Sequence, residues 1–109
     1  MKVVEVGEIS TYVPDGHWGM EARKLAPGDP LEMMVCVMQP GGGATAHQHD
    51  DRPQMLLVID GLLTITAGEG TPVDVPAGHA AWFEPGEPHA VVNQQSPPAR
   101  YLAVSVIPG

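Results

Sequence analysis

The sequence predicts an all-β fold, a single-domain antiparallel sandwich or barrel. Short β-type runs recur along the chain, and Gly, Pro, Asp or Asn bounds each of them. Gly (13) and Pro (12) are spread through the 109 residues rather than clustered, as tight turns between strands require. No window carries sustained helical periodicity with caps.

Taken in order, KVVEV opens the chain as the first expected strand. GMEARKLA (19–26) has room for one or two helical turns at most, and residues 11–30, with Pro14, Pro27 and Pro30, read as a loop or arm packed over the barrel. LEMMVCVMQ (31–39) is the next strand. QMLLVI (54–59) and LLTITA (62–67) flank Asp60-Gly61, a strong hairpin signal because a two-residue turn needs positive φ. PVDV (72–75), HAAWF (79–83), HAVVNQ (89–94) and RYLAVSVI (100–107) complete the set. Spacings of roughly 8–12 residues suit a sandwich or barrel, whose closure removes edges and leaves room for a small ligand at the mouth. The division expected is an N-terminal strand and arm over 1–30 and a barrel over 31–107.

Charge narrows the partners. Thirteen acids against five bases give a formal net charge of −8, which opposes nucleic acid and anionic membrane surfaces. No apolar run approaches the roughly 18 residues of a membrane span, and MKVVEVGEIS lacks the apolar stretch of a secretion signal, so a soluble, cytoplasmic protein is expected. Cys36 is the lone cysteine, which precludes an intramolecular disulfide; in MMVCVM it reads as a small buried hydrophobe. Met33, Met34, Met38 and Met55 read as core filling.

GGGATAHQHDDRPQ (41–54) carries the chemistry. Residues two apart on a strand share a side, so His47 and His49 project together, as two ligands of one ion must. Asp50 to Pro53 is turn chemistry, after which Gln54 begins the next strand facing the same side. His89 opens a later strand. Imidazole is the commonest protein ligand for transition metals, and a few protein ligands with open positions mark catalytic rather than structural sites.

These residues resemble the two motifs of the cupin family, G-x5-H-x-H-x3,4-E-x6-G and G-x5-P-x-G-x2-H-x3-N. Gly41, His47, His49, Gln54 and Gly61 fall at the first spacing; Gly78, Glu84, Gly86, His89 and Asn93 fall at the second. Two of the ten positions are substituted: Gln54 stands in the glutamate slot and Glu84 in the proline slot. The resemblance implies a jelly-roll (double-stranded β-helix) barrel and a divalent metal (Fe, Mn, Ni, Zn or Cu) held by His47, His49, Gln54 and His89. Small cupins are commonly dimers, which implies a homodimer. The glycines read as turn residues and Asn93 as a turn stabiliser.

A neutral glutamine leaves the double charge of the ion intact, which favours an anionic bidentate substrate such as an enolate, diketonate or α-hydroxy acid. The alternative is that Gln54 does not ligate and water completes the site. Further candidates are Glu84 as a general base and Asp50 and Asp51 as ligands or imidazole-orienting acceptors. Trp82, Arg52 and Tyr101 are candidates for the substrate pocket, with Phe83 and Arg100 behind them, and His79 reads as a rim histidine. His17-Trp18 is expected to cap the mouth or pack on a second subunit. The expected activity is that of a metal-dependent dioxygenase acting on a small oxygenated molecule. The alternatives are a non-redox lyase, isomerase or cyclase, and a non-catalytic module that binds a small molecule or metal.

Overall fold

A computed structural model describes residues 1–25 and 30–107, so Ala26 and Pro27 of the expected arm lie outside the described residues. Eight strands follow in order: β1 (His17–Lys24), β2 (Leu31–His47), β3 (Gln54–Asp60), β4 (Leu62–Ala67), β5 (Val73–Pro76), β6 (Ala80–Phe83), β7 (His89–Val92) and β8 (Ala99–Val106). The hydrogen-bonded order is β5-β4-β7-β2-β8-β3-β6, with β1 also on β2, and every pairing is antiparallel. The class read from the sequence is the class observed.

β2 joins the two halves of the barrel. Leu31 to Met38 pair with β8, whereas Gly43 to His47 pair with β7. Between them the strand bends at Gly41 (φ 81°), and Gly42 passes so close to Gly19 that a Cβ there would strike the Gly19 carbonyl oxygen.

Period-two alternation sets what faces the interior. Gln54, Leu56 and Val58 point inward from β3, and Ala99, Tyr101, Ala103 and Ser105 from β8. Met38, Leu63, Phe83 and Val91 add to one core. The same alternation turns Met55 outward, 38% exposed, so this methionine fills no core.

Three local expectations are corrected. KVVEV forms no strand: residues 1–5 are exposed and a single 3-10 turn follows at Val6–Glu8. Its valines favour β geometry, but no neighbour offers a ladder, and an unpaired strand is not stable in water. GMEARKLA has no helical turn in its described residues. Gly19 sits at φ 59°, and from there Met20 and Ala22, two apart, both enter the core as part of β1.

Asp60-Gly61 is not a hairpin turn. Gly61 does take positive φ (79°), but both edges of β3 are already occupied by β8 and β6. The chain therefore turns a corner into the other half of the barrel, where β4 pairs with β5 and β7. A Cβ on Gly61 would sit 3.0 Å from Ala99 Cα, so the corner is tight as well as left-handed.

Candidate metal centre

His47 ends β2 and His89 begins β7, and the β2–β7 register sets them opposite one another. His49 lies two residues beyond the end of β2, and Gln54 is the first residue of β3. The four side chains that sequence spacing grouped are thus brought to one end of the barrel. Ring centroids lie 4.5 Å apart for His47–His89, 5.7 Å for His47–His49 and 6.4 Å for His49–His89.

Neighbouring groups orient these rings. His89, 2% exposed, stacks on Phe83 at 3.8 Å and 8° between planes. Its Nδ1–H donates to the Glu87 carbonyl (3.1 Å), and His47 Nδ1–H donates to the Thr45 carbonyl (2.9 Å). A carbonyl on Nδ1 leaves the lone pair on Nε2, the tautomer a metal ligand needs. His49 has no such carbonyl; the Arg52 guanidinium stands 3.5 Å from its Nδ1.

Burial is the main cause that lowers the proton affinity of His49, with the Arg52 and His47 charges adding to it. Burial also lowers His89, against the pull of the Glu87 carbonyl. Both rings are therefore more readily neutral than an exposed histidine, and neutral imidazole is the ligating form.

The donor set fits a divalent cation. Neutral His89 presents its Nε2 lone pair to Gln54 Oε1, another lone pair, 3.2 Å away in a site where Gln54 is only 7% exposed. Two donors of one ion at bonds of about 2.1 Å stand about 3.0–3.4 Å apart, between octahedral and tetrahedral angles. On the same bond lengths and angles imidazole centroids stand about 4.5–5.3 Å apart, which His47 and His89 meet, whereas His49 stands further out, at 5.7 and 6.4 Å from them. Among the described residues no three His, Cys, Asp or Glu side chains are placed, as they stand, to hold a metal ion. Since Gln54 and the half-exposed rings of His47 and His49 supply donors, rotation of those rings is the adjustment that completes the site.

Beside these residues a cavity of about 310 Å³ opens, walled by Met20, Met34, Leu56, Val91 and Ala103. Tyr101 lines it, as expected, next to Cys36. Burial pushes the Cys36 thiol up to about 12 and raises the Tyr101 hydroxyl too, so both stay protonated at neutral pH.

Of the remaining wall residues, Glu32 was not read as such from the sequence, whereas His17 was expected, with Trp18, to cap the mouth or pack on a second subunit. LEMMVCVM lacks a clean alternation to show which way Glu32 faces, and His17 lay in a stretch read as loop. The only available signals were its place beside Trp18 and the scarcity of histidine in the chain.

Other expectations are corrected. Trp82 is 52% exposed on the outer side of β6, because Phe83 takes the inward position, and its indole N–H donates to Glu84 Oε1 at 3.0 Å. Glu84 is itself exposed and absent from the cavity wall, so it is not placed to act as a base there. Arg52 does not line the cavity; it packs behind His49, 3.9 Å from the Asp51 carboxylate. Asp50 is bound by the Gln48 amide, and neither it nor Asp51 enters the wall or contacts an imidazole nitrogen. Arg100 pairs with Asp60 at 3.3 Å, and His79 is exposed, bonded to the Ala77 carbonyl.

The family model of the cupin domain matches residues 34–105. The chain belongs to the cupin family. No curated protein matches this cupin. Among solved structures, a predicted oxalate decarboxylase from Thermotoga maritima is 20% identical with a TM-score of 0.86, over 98% of this chain and all of the other. A polyketide cyclase from Streptomyces resistomycificus is 23% identical with a TM-score of 0.87, covering 99% and 80%. A sugar phosphate isomerase from Silicibacter pomeroyi is 18% identical at 0.82, covering 98% and 76%. At these identities the likeness shows the barrel, not the reaction. The described residues of this cupin contain no helix long and apolar enough to cross a membrane.

The two lowered histidines give the metal-free protein an acid-sensitive stability. The unfolded chain takes up protons near the ordinary value of about 6.5, before the folded chain does. Their contribution is complete above that pH and is lost as pH falls through the lowered folded values. In chelator-treated protein the melting temperature should fall as the pH drops from about 7 to below about 6.5. An unchanged melting temperature over that interval would contradict the assignment of His49 and His89 as imidazoles that the fold keeps neutral.

Proposed function

We propose that this cupin is a metal-dependent enzyme acting on a small oxygenated organic anion, with dioxygenase chemistry as its reaction class. The observation that carries the reading is a neutral donor set, three imidazoles and an amide, beside a cavity whose wall bears a carboxylate. His47, His49, Gln54 and His89 would hold the ion. When bound, a divalent metal supplies Lewis acidity to substrate oxygens, and a redox metal adds access to dioxygen.

Glu32 supplies the base that Glu84 does not. Glu32 pairs with Ser105 on β8, and Ser105 pairs with Gln54 on β3, so the three form one inward-facing row. Two strand spacings, about 10 Å of backbone, separate Glu32 from Gln54, enough for a small substrate between the side chains. The Glu32 carboxylate takes a proton from the carbon beside the substrate carbonyl, and the C–H electron pair moves onto the carbonyl oxygen. In the dioxygenase class, molecular oxygen adds to that enolate carbon and both its atoms end in the products of C–C cleavage. Protonated Cys36 and Tyr101 add no negative charge to that of the Glu32 and Asp15 carboxylates, and the doubly charged ion is what would draw an anion in.

A second reading keeps the enolate and omits oxygen. Reprotonation at a neighbouring carbon would make the enzyme an isomerase, and attack on a second carbonyl of the same molecule a cyclase. Glu32 favours it, and the cyclase and isomerase that share this barrel support it.

The test is elemental analysis of the purified protein and of His47→Ala and Gln54→Ala, with oxygen uptake on a flavonol and a β-diketone. In parallel, deuterium exchange at the β-diketone carbon is followed in wild type and Glu32→Gln. A redox metal with oxygen uptake, lost in His47→Ala, supports the dioxygenase. Exchange without oxygen uptake, abolished in Glu32→Gln, supports the second reading. Ligand binding without exchange or uptake would make this a binding module. Failure to take up any metal would sink the centre.

A further inference from the structure

We propose that His17 is a fourth imidazole of the same centre, so that the bound ion ties β1 to the barrel. The inference rests on the metal reading above. It is carried by a residue outside both family motifs that the fold brings into the cavity wall together with His47, Gln54 and His89.

His17 pairs with Ala44, three residues ahead of His47 on the adjacent strand. A connected set of hydrogen bonds links the two. Thr45 donates its backbone N–H (2.9 Å) and its hydroxyl (3.2 Å) to the Gly16 carbonyl, and the Thr45 carbonyl accepts from His47 Nδ1–H. Gly16 takes φ 74°, and a Cβ there would press on Thr45 Oγ1 at 2.9 Å, so this junction is built for a glycine.

The ring is prepared as the other ligands are. His17 Nδ1–H donates to the Asp15 carbonyl at 2.9 Å, which leaves the Nε2 lone pair free. Its centroid lies 5.4 Å from that of His47, at the tetrahedral end of the interval for two imidazoles on one ion. His47 is thereby the common neighbour of three rings, at 4.5, 5.4 and 5.7 Å. His79 has the same carbonyl contact on Nδ1 but lies outside the cavity, which makes it the natural control. A fourth neutral donor leaves the charge of the ion unchanged, so it tightens binding while preserving the preference for an anionic substrate.

The experiment uses the full chain loaded with cobalt(II) and labelled with 15N-histidine. Each imidazole bound through Nε2 keeps one exchangeable Nδ1–H, which the paramagnetic ion shifts far from the other proton resonances. Wild type and His79→Gln should each show four such signals and His17→Gln three, with cobalt affinity reduced about tenfold or more. His17→Ala, which offers no replacement donor, should match His17→Gln, and melting curves of the metal-free variants check that both remain folded. Three signals in wild type, with affinity unchanged in both His17 variants, would overturn the fourth ligand and leave the centre standing. If wild type takes up no cobalt, the centre itself fails, and His17 with it.

Discussion

Replacing His89 with alanine should remove most of the stabilisation that metal gives the protein. The imidazole is buried, sits against Phe83 and faces Gln54 Oε1 at 3.2 Å. Alanine removes one donor and also the ring that packs beside Gln54. Losing even an outer partner of a ligand typically costs 10–100-fold in affinity, so loss of this ligand should cost about a hundredfold or more. A ligand present at about a thousand times its dissociation constant stabilises the folded chain by about 4 kcal/mol. Wild type loaded with zinc should therefore melt well above its chelator-treated form. At the same zinc concentration His89→Ala should retain about 1.4 kcal/mol or less, so its zinc-dependent rise should be about a third of the wild-type rise or smaller. An equal zinc-dependent rise in the two proteins would remove His89 from the site.

Asn93→Ala should be among the most destabilising single substitutions, with no metal involved. Asn93 is fully buried, and its amide makes three hydrogen bonds across the corner behind the site. Nδ2 donates to the Met38 and Pro97 carbonyls at 3.0 Å each, and Oδ1 accepts from the Gln95 N–H at 2.9 Å. Its backbone N–H donates to the Gly42 carbonyl, and its own carbonyl accepts from Gly41 N–H. Alanine keeps the backbone pair but leaves the partners of the amide unsatisfied, at about 1–3 kcal/mol each. A loss of about 3 kcal/mol or more is expected, a large part of the 5–15 kcal/mol typical of a domain. Denaturant unfolding measures it directly; a change below about 0.5 kcal/mol, the scatter of ordinary surface substitutions, would show that the clamp contributes little.

The sequence shows the barrel class and the grouping of His47, His49, Gln54 and His89 because both are written in local spacing. Period-two alternation and breaker residues marked seven of the eight strands, and the histidine spacing carried the resemblance to the family. What remained illegible depends on partners distant in the chain. KVVEV has better strand residues than HWGMEARK, yet only the latter lies along β2. Asp60-Gly61 has the backbone freedom of a hairpin, but competition for the edges of β3 sends the chain elsewhere. Trp82 and Phe83 are adjacent, and which of them faces inward follows from the pairing of β6 with β3. Glu32 enters the cavity by register with Ser105, which no short stretch of sequence reveals.

The dual membership of β2 has a consequence for how the protein is made. The first half of β2 pairs with β8, which comes last of these strands in chain order, and the second half with β7. Until the C-terminal segment has emerged, a long apolar strand stands without most of its neighbours, and chains in that condition are open to aggregation. His47 and His89 cannot face one another before β7 has joined β2. The full donor set thus waits for a chain synthesised through β7, and a nascent polypeptide that exposes only the His47 and His49 pair offers an ion no more than half of it.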